Sequence, residues 1–243
     1  MKDWVGKKYW LVGASDGLGE ALARKLSQAG AEVVLSARNA DKLAEIAATL
    51  PAPASAHPMD VTDDESVRAT AEAIGPVDGV VLLAGAYWPF SARNWDAAQA
   101  VEMADVNFTG YIRVLGQVVP DMVSRDAGHI VITSSLAAYR GLPGSIGYTA
   151  SKAGNLSLAE CMYADLKDTG LDVQVALPGF IKTRMTDKNT FKMPMIMEPE
   201  EAAQEVFELM NSDAFKKSFP GLLGAIFRAA QFLPNWLYYR IFA

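Results

Sequence analysis

"KYWLVGASDGLGEALARKL", residues 8–26, is the stretch whose reading decides the fold. Residues 8–14 are an apolar run of strand length. From Gly19 onward the apolar residues recur at helical spacing, and three glycines, Gly13, Gly17 and Gly19, sit at the junction. Strand, glycine turn and helix in that order are the start of an α/β unit. The spacing G-x-x-x-G-x-G is a variant of the glycine turn that lets a backbone approach a pyrophosphate, with the helix N-terminus aimed at it.

The same alternation continues to about residue 180. Residues 32–37 (EVVLSA), 79–85 (GVVLLAG), 129–135 (HIVITSS) and 172–179 (DVQVALPG) read as buried strands, and 54–59 (ASAHPM) as a weaker one. Between them, 19–29, 40–50, 63–74, 95–122 and 148–167 read as amphipathic helices. Near-continuous apolar strands alternating with helices imply a parallel sheet covered on both faces. The expected fold is therefore α/β: one Rossmann-type, doubly wound domain over residues 1–243, ending in a short apolar helical tail. No linker, repeat or low-complexity segment interrupts it.

Composition narrows the function. The chain has 243 residues and a net charge of −6, which argues against nucleic acid, because phosphate binding needs a basic face. The single cysteine, Cys161, cannot form a disulfide within the chain and is expected to be buried and inert; a reducing, cytoplasmic location is expected. His57 and His129 lie far apart, and no cluster resembles a metal site, so no metal is expected. The N-terminus is too charged for a signal peptide.

After the second strand, a dinucleotide fold usually places an acid for NAD or an arginine for the 2′-phosphate of NADP. Ala37 stands where the acid would be and Arg38 follows. A guanidinium binds a phosphate in a bidentate way, whereas a carboxylate repels it. NADP(H) is thus the expected cofactor, with NAD(H) second. Asp16, inside the glycine turn, brings an opposing charge nearby.

"GYTASKAGN", residues 147–155, puts Tyr148 four residues before Lys152. That spacing places both on one helix face. A phenol with an ordinary pKa of about 10 is poorly matched to neutral pH, and a neighbouring ammonium is expected to lower it. A hydroxyl aimed at a developing oxyanion would assist, and Ser134 and Ser135 both offer one. Strand alternation sends these two serines to opposite sides.

Together these residues resemble the short-chain dehydrogenase/reductase family. The matching pieces are GASDGLG (13–19), MDV (59–61), LLAG (82–85), VNFTG (106–110), TSS (133–135), YTASK (148–152) and PGFIKT (178–183), in the family's order. The resemblance implies that Tyr148 is the acid/base, that Lys152 tunes it and holds the nicotinamide ribose, and that Ser135 bonds the substrate oxygen. Asn107 would help hold a water that links Lys152 to a proton relay. It also implies a cofactor site built from Gly13, Ser15, Asp16, Gly17, Leu18, Gly19 and Arg38, with Asp60 and Val61 at the adenine and Ala84 and Gly85 at a ribose. Pro178, Gly179, Ile181 and Thr183, with Tyr148 and Lys152, would complete it at the nicotinamide. Val12, Leu82 and Leu83 stand where the family often has polar residues, which puts local bracing in doubt rather than chemistry. A homodimer or homotetramer follows from the resemblance, through helices at about 107–124 and 151–167.

Residues 184–200 are expected to cover the substrate. Met185, Met193, Met195 and Met197, four of the chain's ten methionines, suggest an adaptable apolar pocket, with Tyr87, Trp88 and Phe90 as an aromatic wall. Ordinary packing under a loop explains them equally well. The last segment, residues 214–243 (AFKKSFPGLLGAIFRAAQFLPNWLYYRIFA), is basic and has no acid. Pro220 and Pro234 should bracket one short helix, with a second after it. Such a tail suits either an anionic membrane surface or packing on protein, the latter being the simpler expectation. The resulting function is an NADPH-dependent carbonyl reductase or alcohol dehydrogenase acting on a ketone, aldehyde or secondary alcohol with an apolar body. The alternatives are a non-catalytic NADP(H)-binding regulator or scaffold, and a membrane-docked reductase of lipid intermediates.

Overall fold

Seven parallel strands in the order β3-β2-β1-β4-β5-β6-β7 make one twisted sheet in the computed structural model, which describes residues 2–189 and 191–242. Thr190 of the covering segment and Ala243 of the tail, like Met1, lie outside the described residues. The strands are β1 (Lys8–Val12), β2 (Glu32–Ser36), β3 (Ala54–Ala56), β4 (Gly79–Leu82), β5 (Gly128–Thr133), β6 (Leu171–Pro178) and β7 (Lys216–Phe219). The helices are α1 (Gly17–Gln28), α2 (Ala40–Thr49), α3 (Asp64–Ile74), α4 (Ala97–Ala104), α5 (Gly110–Ser124), α6 (Ile146–Leu166), α7 (Pro199–Met210), α8 (Gly221–Ala230) and α9 (Asn235–Phe242).

Alternation along the strands builds two cores. Trp10, Val12, Val80, Leu82, Ile130 and Ile132 face Val67 of α3, Val114 and Val118 of α5 and Ala159 of α6. Leu11, Val33, Leu35, Val81 and Val131 face Leu22 and Leu26 of α1, Leu43 of α2 and Val206 of α7. Each fully buried Leu or Val contributes about 1.5–3 kcal/mol against conformational entropy. Both sheet faces are therefore covered, as the unbroken apolar strands require.

Four sequence expectations change. The expected helix over 95–122 is α4 and α5 joined by a π-helical turn, Asp105–Thr109, which contains Asn107. Helix α7 and strand β7 were not read: Glu198 and Glu201 form a capping box before α7, with Pro199 at its first turn. Strand β7 extends the sheet from within the expected tail, while Pro220 and Pro234 do bracket α8 and precede α9. Cys161 is exposed, not buried. Helix α6 turns Ser151, Lys152, Asn155 and Ala159 inward, which leaves Cys161 on the outer face.

At the opposite end of the sheet from the glycine turn, His129 of β5 lies between Tyr9 and Gln174. Its Nδ1 is 2.8 Å from the Tyr9 hydroxyl and its Nε2 is 2.9 Å from Gln174 Oε1. Gln174 Nε2 donates to the Leu209 carbonyl at the end of α7 and to the Ser212 and Ala214 carbonyls after it, so its Oε1 accepts from His129. The ring is neutral, and burial holds its pKa down to about 4. The unfolded chain, at an ordinary 6.5, takes up a proton before the folded chain does. Stability is thus expected to fall as pH drops from 6.5 towards 4, by about 3 kcal/mol from this residue. Urea unfolding of wild type and His129→Gln across that range checks it: the variant should show a shallower loss on acidification.

Candidate active site

The carboxyl ends of β1, β4, β5 and β6 open on one cleft of about 780 Å³. The strand order reverses between β1 and β4, which is where open α/β sheets place ligands. Every residue expected at the cofactor lines this cleft: Gly13, Ser15, Asp16, Gly17, Leu18, Gly19, Arg38, Asp60, Val61, Ala84, Gly85, Tyr148, Lys152, Pro178, Gly179, Ile181 and Thr183. Asn107 and Ser135 stand behind its wall.

The glycine turn is shaped by close approach. Gly13 has φ +100°, and a Cβ there would come within 2.4 Å of the Ala84 amide nitrogen. A Cβ on Gly19 would meet the Gly13 carbonyl oxygen at 2.1 Å. Only glycine lets β1, the loop after β4 and α1 converge this tightly. Asp16 caps α1 by accepting from the Gly17 amide at 2.9 Å, and its carboxylate also pairs with Arg184 across the cleft.

At the far end, Arg38 lies two residues past β2 and is exposed at the cleft mouth, with no ion-pair partner among the described residues. Asp60 faces it from the neighbouring loop. Burial pushes the Asp60 carboxyl up, but bonds from the Thr62 amide and hydroxyl, with Arg38 and Arg113 nearby, hold it below the usual range.

At the reacting end, Tyr148 and Lys152 share the inner face of α6. The Lys152 ammonium donates to the Thr133 carbonyl at 3.0 Å and sits over the Tyr111 and Tyr148 rings, 5.2 and 5.9 Å from their centroids. It is buried with no carboxylate beside it among the described residues, and desolvation pulls its pKa down to about 7. The expected lowering of the Tyr148 pKa is not found. Burial raises it, the hydrogen bond with Ser135 pulls it down, and Tyr87 adds a smaller upward push. Lys152 aims its charge at Thr133, so it contributes no resolved lowering to the phenol.

Both serines are buried, in different roles. Ser134 donates to the Lys152 carbonyl at 2.7 Å and so fixes α6 to β5. Ser135 accepts from the Ala137 amide at 3.1 Å and keeps its hydroxyl beside Tyr148. Asn107 is held by the π-helical turn, a distortion often found at functional sites. Its amide group accepts from the Ala86 N–H at 2.6 Å and donates to the Ala86 carbonyl at 2.9 Å and to Ser151 Oγ at 3.1 Å. Ser151 passes this to the Tyr148 carbonyl at 2.8 Å. Asn107 thereby braces the loop after β4 against the start of α6.

Sequence reading missed how the cover closes. Tyr87 packs edge-on against Tyr148, with centroids 5.1 Å apart, and donates to Asn189 Oδ1 at 2.9 Å. Lys188 donates to the Tyr87 carbonyl at 2.8 Å and lies over the Trp88 ring at 4.2 Å. The one available signal was the adjacent Lys188 and Asn189 early in the covering segment. Of the four methionines only Met185 lines the cleft; Met195 is exposed and Met193 accepts from Asn189. Phe90 packs on Trp95 instead of the cleft. Tyr87→Phe keeps the ring against Tyr148 but loses the bond to Asn189. A substrate KM about fivefold higher with kcat little changed is expected, from steady-state kinetics.

Residues 7–193 match a sequence profile described as short chain dehydrogenase. An uncharacterized oxidoreductase of Myxococcus xanthus is 36% identical over 241 residues, covering 94% of this chain and 93% of the relative. An actinorhodin polyketide ketoreductase variant solved with NADPH superposes with TM-score 0.81 at 25% identity, covering 90% of this chain and 97% of that one. A short chain dehydrogenase/reductase from Burkholderia phymatum, in complex with NAD, gives TM-score 0.85 at 24% identity, covering 94% of each chain; this last likeness is one of fold.

Proposed function

Because the chain belongs to the short-chain dehydrogenase family and is an oxidoreductase of that kind, we propose that it is an NADPH-dependent carbonyl reductase, reversible as an alcohol dehydrogenase. The substrate class is a ketone, aldehyde or secondary alcohol with an apolar body. The observation that carries this reading is the Tyr148–Lys152 pair on one wall of the cleft, with Ser135 beside the phenol. The ketoreductase found among the structural neighbours supports the carbonyl half of it.

The residues present fit a nicotinamide dinucleotide. A side chain at Gly13 would fill the space between β1 and the loop after β4, and the buried Thr133 hydroxyl on the cleft wall has no protein partner. When bound, the cofactor supplies the hydride that adds to the carbonyl carbon. The glycine turn and α1 hold its phosphates, Arg38 the 2′-phosphate, and Asp60 and Val61 border the adenine. Ala84 and Gly85 take a ribose, and Pro178, Gly179, Ile181 and Thr183 orient the carboxamide. Lys152 holds the ribose near the reacting atoms. Ser135 donates to the substrate oxygen, and Tyr148 delivers the proton that the new alkoxide needs. Tyr87 and Trp88, under Lys188, exclude water from that step.

A carbonyl panel, scored by loss of NADPH absorbance, tests the activity; NADPH binding without turnover on any member would sink it. For cofactor choice, Arg38→Glu is expected to lower kcat/KM with NADPH by about tenfold or more, while sparing NADH. A wild type with higher kcat/KM for NADH than for NADPH would overturn the preference. A homodimer or homotetramer belongs to the same proposal, supported by exposed Ile112 and Val123 on α5 and Tyr163 on α6. Light scattering checks it. A cytoplasmic location is proposed too; among the described residues no helix is long and apolar enough to cross a membrane.

A further inference from the structure

The last two helices form a hairpin with two unlike faces. Inward, Leu223 and Gly224 of α8 pack on the body of the protein. Phe227 meets Phe242 with centroids 5.8 Å apart, and Phe242 stacks on Tyr238 at 4.6 Å. Outward, Leu222, Ile226, Phe232, Trp236, Tyr239 and Ile241 are exposed, Phe232 to 81% and Trp236 to 69%. An apolar surface of this kind on a folded chain marks an interaction site.

Charge selects the occupant. Residues 214–243 contain no acid. Lys216 and Lys217 are neutralised by Glu160, Glu205 and Glu208 outside the hairpin. Arg228 and Arg240 are exposed and have no ion-pair partner among the described residues. A two-fold contact centred on this face would set these arginines of one copy near those of the other, with no acidic side chain in the segment to separate them. An anionic lipid surface neutralises them instead, and Trp, Tyr and Phe are the side chains that settle at its headgroup level.

The hairpin is also fastened to the reacting end of the cleft. Arg140 donates to the Leu233 carbonyl and to Asn235 Oδ1, both at 2.5 Å, and its guanidinium lies 4.1 Å from the Tyr238 ring centroid. Tyr238 donates to the Gly141 carbonyl at 3.1 Å. Arg140 and Gly141 belong to the segment that runs from Ser135 to the start of α6, the helix that carries Tyr148. The outer face is thus carried by a rigid bracket on the active-site loop.

We propose that α8 and α9 are a docking element that seats this protein on anionic membrane surfaces. Docking itself does not depend on the reductase reading. Its consequence for substrate does rest on that reading: a carbonyl compound dissolved in the bilayer would enter beside the hairpin. Flotation with vesicles of phosphatidylglycerol and phosphatidylcholine, against phosphatidylcholine alone, tests the docking at low and high salt. Wild type is expected to float with the anionic vesicles, less so at high salt. Phe232→Ser/Trp236→Ser and Arg228→Glu/Arg240→Glu are each expected to lower the bound fraction about tenfold or more, while melting as wild type does. Wild type that stays unbound to anionic vesicles at low salt overturns the proposal. So does a solution mass that drops by half in Phe232→Ser/Trp236→Ser, which would make the face a contact between copies. Turnover of soluble carbonyls is measured alongside, so loss of docking and loss of the reductase reading are told apart.

Discussion

Tyr148→Phe is expected to lower kcat by about 10²–10⁴-fold while leaving the protein folded and its cofactor bound. The substitution removes one hydroxyl and keeps the ring that packs edge-on against Tyr87. Steady-state kinetics on any active carbonyl, with NADPH affinity measured separately, checks the result. Undiminished turnover would mean that another group delivers the proton. The acidity of Tyr148 adds a pH expectation. Burial raises it in the free protein, so the phenol stays protonated through the neutral range. Carbonyl reduction, which needs the phenol, should show no loss from ionisation of Tyr148 there in kcat/KM. Alcohol oxidation, which needs the phenolate, should climb as pH rises beyond it.

Lys152→Met is expected to cost function and raise stability together. The ammonium is buried without a carboxylate, and its pKa in the folded protein is about 7 against an ordinary 10.5. The unfolded chain holds this proton more tightly. The destabilisation is therefore complete below pH 7 and is relieved as pH rises towards 10.5. Removing the charge should stabilise the cofactor-free protein by up to about 5 kcal/mol at pH 6, with almost no gain near pH 10.5. Loss of the bond to the Thr133 carbonyl offsets about 1 kcal/mol of this. Denaturant unfolding at both pH values measures the gap. The same variant should bind NADPH more weakly and turn over far more slowly. A variant no more stable than wild type at pH 6 would show that the lysine is solvated or paired in the free protein. A site kept at the expense of stability is the usual mark of function.

Much of the fold was legible because the strands are buried on both faces and read as plain apolar runs. The glycine turn was legible for a different reason: Gly13 and Gly19 answer to backbone contacts that no other residue could make. Strand β7 escaped because it is a four-residue edge strand that begins with two lysines. Helix α7 escaped because its start, MEPEE, reads as the end of the covering segment, although the Glu198 and Glu201 spacing of its capping box is visible in the sequence. The exposure of Cys161 was illegible because α6 buries polar side chains, so apolar character does not report its inner face. The direction of the Tyr148 shift depends on where the Lys152 ammonium points, and helical spacing fixes the face but not the aim. Likewise the bond from Tyr87 to Asn189 joins residues about a hundred apart, and no local pattern contains it.

Strand order carries a last consequence, for assembly. The first strand made is central: Lys8 of β1 pairs with Glu32 of β2 on one side, and Tyr9 pairs with Gly79 of β4 on the other. The half with β2 and β3 closes through nearby contacts, whereas the half with β4 to β7 waits for chain far downstream. Loop-closure entropy makes the second half slower to form. During synthesis, the end of the cleft at Arg38 can therefore take shape before the end at Tyr148 exists. Arg140 finds its carbonyl partners only when residues 230–233 emerge, so the loop before α6 is fixed later than the strands that flank it.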